Sequence, residues 1–238
     1  MAGQRGYGVV SFPVVQSVTT SYSVSADTTH TVSLPATTVS GELLLVLFTT
    51  KSTGTATPSG WTSLWQYTAG GMGSLGFYKT ATGSDGSTVE VISGSGGPFS
   101  AQVFRISNWN GIENSSRKGS SGTSVPSFNA LTPSWGSDKV LWIASVSASD
   151  DGATVSSYPA SYTDGLSVIA PGGVNASCEI FTARRELEAS SETPGAYTLS
   201  ESETTQAYVV GIRTNNESGG SFNAAWARGS NQIIGMTP

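Results

Sequence analysis

Apolar residues in this chain come in short bursts, and many bursts alternate with polar residues. In residues 74–81, Leu75, Phe77 and Lys79 alternate with Ser74, Gly76 and Tyr78. A period of two places successive side chains on opposite faces of a β-strand. Residues 43–48 are apolar at every position, which predicts a central strand covered on both sides. The same reading predicts strands at 29–34, 42–49, 62–67, 74–81, 88–92 and 101–107 in the first half. In the second half it predicts 125–128, 139–148, 161–168, 176–186, 197–199 and 205–214, with a last strand at 221–226. Turn signals separate them, among them Pro58-Ser59-Gly60, Gly83-Ser84-Asp85-Gly86 and Pro171-Gly172-Gly173. The best helix-forming window, 183–190, sits where a strand is expected to continue into a loop.

The strands recur in the same order twice. Gly41-Glu42 before LLLVLF parallels Ser137-Asp138-Lys139 before VLWIASV. Pro58-Ser59-Gly60-Trp61-Thr62 parallels Pro159-Ala160-Ser161-Tyr162-Thr163. Phe77-Tyr78-Lys79 parallels Phe181-Thr182-Ala183, and AQVFRIS at 101–107 parallels AYVVGIR at 207–213. The predicted fold is all-β: an antiparallel β-sandwich, jelly-roll-like, built from an internally duplicated strand pattern. Its body spans 28–227, with repeat halves at about 30–112 and 124–214 and a crossover loop at 113–123. An extended N-terminal arm covers 1–27, where Pro13 interrupts any central ladder. A C-terminal tail covers 228–238.

Composition narrows the function classes. Only 11% of residues are charged and the net charge is −5, so no basic surface is expected to track phosphates, and nucleic acid is not an expected partner. No apolar run reaches the length of a membrane-spanning helix. The N-terminus carries no apolar core of a secretory signal, so no membrane association or export is expected. Cys178 is the sole cysteine and predicts a buried, inert thiol.

Chemistry is sparse. His30, the sole histidine, lies at the start of a strand and reads as a surface or strand-end residue. One histidine leaves little basis for a histidine-rich metal site or a catalytic triad. Glu186, Glu188, Glu192, Glu201 and Glu203 read as a solvated acidic patch, although paired carboxylates are also what glycoside hydrolysis uses. Asp85 and Asp150-Asp151 sit in glycine-containing turns without the spacing of a calcium loop. No cofactor, metal or catalytic residue is therefore expected. Trp61, Trp109 and Tyr162 lie near strand ends, where aromatic rings stack on sugars or dock a partner.

The set GELLLVLFT, PSGWTSL, FYKTATGSDGSTVEV and VFRISNWNG resembles a group of virion structural proteins of tailed bacteriophages and prophages, of the decoration or fibre type. The resemblance covers about residues 28–214, and Phe104-Arg105-Ile106-Ser107 departs from the commoner spelling of its last element. It implies a non-enzymatic protein on the outer surface of the virion, assembled in the host cytoplasm. The leading expectation is a capsid decoration or cement protein that binds the major capsid protein or other virion proteins as a trimer or dimer. Tyr7, Val9, Val10, Phe12, Val14 and Val15 are the expected anchors of its assembly arm, with the 233–238 segment in a similar role. The alternative expectation is a receptor- or carbohydrate-binding module of a tail fibre or particle surface. It would hold a surface glycan on Trp61, Trp109 or Tyr162.

Overall fold

The computed structural model describes residues 11–69, 71–124, 128–150, 152–172 and 177–215. The fold is all-β and every strand pairing is antiparallel. The first half contributes β1 (Val14–Ser23), β2 (Thr29–Ser33), β3 (Leu43–Thr50), β4 (Thr62–Ala69), β5 (Met72–Thr80), β6 (Thr88–Ile92) and β7 (Phe99–Ser107). The second contributes β8 (Trp109–Asn114), β9 (Lys118–Ser124), β10 (Asp138–Asp150), β11 (Val155–Ser157), β12 (Thr163–Ala170), β13 (Ser177–Ala189) and β14 (Thr198–Thr214).

The strand order makes the duplication structural. The first sheet runs β1-β7-β3-β5-β4. The second runs β11-β14-β10-β13-β12, with β8 and β9 also paired to β14, along its edge away from β10. Each copy thus begins with an edge strand paired to its own last strand. The copies correspond to residues 14–107 and 109–214, so both start earlier than the repeat in the sequence suggests. Residues 14–23, expected in an extended arm, form β1, because Val15 and Val18 pack on the core while the backbone pairs along β7. The expected crossover loop at 113–123 is mostly the broken edge strand of β8 and β9. Its glycine- and serine-rich sequence is ordered by pairing with β14 rather than by its own propensity.

The two sheets face each other. Leu43, Leu45, Leu47, Phe104 and Ile106 of the first meet Leu141, Ile143, Ile180, Val210 and Ile212 of the second in one cluster. β1 lies against β12, β3 against β10 and β4 against β8. This pattern relates the copies by an approximate twofold axis passing between β3 and β10. Aligning Ala101 with Ala207 makes Ser100 equivalent to Gln206. Their partners on the central strands, Thr49 and Ser147, are then also equivalent. Those two hydroxyls meet across the axis, with Thr49 Oγ1 donating to Ser147 Oγ at 2.6 Å.

Each sheet also has a covered outer face. In the first copy, β2 and β6 form a separate two-stranded layer. Val32, Val89 and Val91 of that layer pack on Val46, Phe48, Phe77, Phe99 and Val103. In the second copy the corresponding layer is irregular. Phe128, Leu131, Tyr197 and Leu199 cover Trp142, Val146, Phe181 and Val209. Among the described residues an isolated bridge joins Leu131 to Glu192. β3 is therefore buried at all its positions, as the apolar run 43–48 requires, and its last two residues, Thr49 and Thr50, are buried with it. A single residue, Asn108, connects β7 in one sheet to β8 in the other. It adopts φ 57°, a region that asparagine tolerates better than most residues. Its side-chain amide donates to the backbone carbonyls of Ser11 and Phe12 and to Thr214 Oγ1, tying both ends of the described body together.

Candidate functional site

The repeated turn before β4 and β12 builds one local arrangement twice. Trp61 N donates to Pro58 O at 3.2 Å, and Tyr162 N donates to Pro159 O at 3.1 Å. The third turn residue is left-handed in both, Gly60 at φ 80° and Ser161 at φ 66°. Thr62 then pairs with Tyr78, and Thr163 with Arg184. Each β4 or β12 strand bulges just beyond that pair. This register makes Tyr78 equivalent to Arg184 and hence Phe77 to Ala183. The sequence match of Phe77 with Phe181 is two residues out. A slip of two keeps the same face of the strand, so hydrophobic pattern alone does not detect it.

The register places Lys79 and Arg185 in equivalent positions, each beside the aromatic residue of its turn. In the first copy Lys79 Nζ sits 4.8 Å above the Trp61 ring, and Trp61 meets Phe77 edge-on at 5.2 Å. Lys79 also binds Asp85 at 2.9 Å. In the second copy Arg185 binds Glu192 at 3.1 Å, and the Tyr162 hydroxyl donates to the same Glu192 oxygen at 3.2 Å. Aromatic, cation and carboxylate thus recur as a set. Both aromatics stand out in the sequence, whereas Asp85 reads there as a turn residue and Glu192 as part of a solvated acidic patch. The clue was a basic residue at matching strand positions, each followed by an acid in the next loop.

The electrostatics of these clusters favour holding over reacting. Burial alone would raise the Asp85 carboxyl. Lys79, the backbone N–H groups of Thr82 and Gly83 and the Thr38 hydroxyl outweigh it and hold the group well below the ordinary carboxylate range. Burial, reinforced by Glu192, pushes the Tyr162 phenol well above its ordinary value. Both groups keep one protonation state at neutral pH. Each cluster therefore clamps the loop after β5 or β13 to the turn before β4 or β12.

The three singled-out aromatics are not brought together. Trp61 is half-buried against the outer cluster of the first copy. Tyr162 is 8% exposed within the outer cluster of the second. Trp109 packs on the central cluster, donates to Gly41 O at 2.9 Å and meets Tyr78 edge-on. Of the arm residues, Tyr7, Val9 and Val10 lie outside the described residues. Phe12 lies under Lys139, Val14 is exposed and Val15 packs on the central cluster. The expected strand at 221–226, the 228–238 tail and its 233–238 segment also lie outside the described residues.

His30 is not at the surface. It is 1% exposed, packed between Phe48 and Phe99, with Nε2 2.9 Å from Ser93 Oγ. Cys178 is buried between the sheets, and burial pushes its thiol up to about 12. Two small cavities stand out among the described residues. One of about 170 Å³ lies beside His30 and Asp27, and one of about 180 Å³ lies beside Asp164 and Arg184. Among the described residues no group of three histidine, cysteine or acidic side chains converges as metal ligands would. No family model, curated protein or solved structure matches the chain.

Proposed function

We propose that the chain is a non-enzymatic structural protein of a tailed-phage particle, a decoration or cement protein on the outside of the head. The observation that carries this reading is where the resemblance-bearing residues sit. The apolar strand 43–48 lies in the core, and Trp61, Lys79 and Asp85 form a clamp that the second copy repeats. What recurs is packing and clamping, as expected of a scaffold. The first copy also nests its strand pairs, β1 with β7, β2 with β6 and β3 with β5, which supports a jelly-roll-like module fused to its duplicate. Its partners in this reading are the major capsid protein or other virion proteins and further copies of itself. Many weak contacts repeated over a shell would add up through multivalency.

Mass spectrometry and cryo-electron microscopy of gradient-purified particles from the source test the proposal. The expected result is many copies per particle with density over the capsid lattice. Absence of the chain from purified particles would overturn it, and density confined to the tail would move the reading to attachment. Deleting residues 2–10 tests the arm without removing β1, and should leave a folded chain that no longer joins particles. Normal incorporation of that variant would end the arm hypothesis.

A further inference from the structure

The β2–β6 layer covers the first sheet through apolar side chains and one titratable group. His30, on β2, is enclosed by Phe48 of β3, Phe99 of β7 and Ser93 just beyond β6. Beside it the cavity of about 170 Å³ is lined by Tyr22 of β1 and by Asp27. Asp27 is the charged group whose field reaches the ring, and β3, β7 and the Ser93 segment present no titratable group to it. The second copy is an internal control. Phe128, Leu131 and Tyr197 hold its outer layer, and none of them changes charge between pH 5 and 8.

We infer that the β2–β6 layer is an acid-sensitive lid, latched by neutral His30, which loosens on protonation and uncovers the apolar outer face of the first sheet. Neutral imidazole suits the aromatic enclosure, whereas imidazolium would be charged among apolar groups. Burial lowers the tendency of His30 to protonate below its ordinary value of 6.5, and Asp27 opposes this in part. The sign follows from proton linkage. Below pH 6.5 the loosened lid binds a proton that the closed lid resists, so acid favours opening until the closed form itself protonates. Lid opening exposes Phe48, Phe77 and Val103.

Hydrogen exchange measured from pH 7.5 to pH 5, corrected for its intrinsic pH dependence, tests the lid on the full chain. Protection of 29–33 and 88–92 should fall by up to about tenfold per pH unit below 6.5. Protection of 128–131 and 192–199 should hold. His30→Phe should remove the pH dependence, and Asp27→Asn should deepen it by taking away the group that favours imidazolium. An equal fall in both layers would overturn the lid. So would a fall that survives His30→Phe, or unchanged protection in the wild type.

Discussion

The two outer layers solve one problem in different ways. The first sheet is covered by a regular pair of strands, β2 and β6, whose backbone groups satisfy each other. The second is covered by irregular chain in which, among the described residues, an isolated bridge joins Leu131 to Glu192, so its cover depends more on large side chains. Tyr197 is fully buried there, donates its hydroxyl to Ala144 O at 2.9 Å and packs against Phe128 and Tyr158. The difference shows that a β layer is optional where aromatic volume can replace it, provided the buried hydroxyl finds an acceptor.

The sharpest way to break the comparison is Tyr197→Ala. It should cost about 3–5 kcal/mol, within the range for removing a large buried aromatic side chain, with exchange protection lost first in 128–135. Denaturant unfolding reads the loss, and a cost under 1 kcal/mol would mean that the irregular layer contributes little.

A second contrast lies inside the interface. Trp65 stacks on Tyr208 with ring centroids 4.1 Å apart, while the position equivalent to Tyr208 in the first copy is Gln102. Gln102 donates to the carbonyls of Leu166 and Ile180 and accepts from Thr182. Gly76 makes the aromatic version fit, since a Cβ there would lie 2.4 Å from the Trp65 ring. Gly76→Ala should therefore destabilise by about 1–3 kcal/mol through overpacking, and the Trp65 fluorescence should shift as the stack opens. An unchanged spectrum would show that the ring has room to spare.

The mildest test concerns the repeated turn. Ser161 occupies the left-handed position that Gly60 fills in the first copy. Ser161→Gly should raise the thermal midpoint slightly, corresponding to at most about 1 kcal/mol, as relief of the left-handed strain slightly outweighs added freedom in the unfolded chain. A lower midpoint would mean that the serine compensates through contacts of its own.

Much of the architecture was legible because it rests on local pattern. Residues 88–92 and the uniformly apolar 43–48 became β6 and the heart of β3. What was hidden depends on partners far along the chain. β9 is a strand only because β14 supplies its ladder, and β14 absorbs two expected strands and the polar 200–204 between them. His30 reads as a polar strand end until Phe48 and Phe99 close around it. The clamps were half visible, because the aromatic turn is a local motif while Asp85 and Glu192 arrive from the following loops.

The single-residue connection at Asn108 bears on how the molecule comes to exist on the ribosome. Every ladder of the first sheet and of the β2–β6 layer lies within residues 14–107, so that copy can close all its backbone pairs before any strand of the second has emerged. The second copy is then synthesised against a finished surface, on a tether too short to let it drift or to favour a neighbouring chain. Vectorial synthesis gives the earlier half the role of template. The later half, with its glycine-rich edge and irregular cover, matures on a mould already in place.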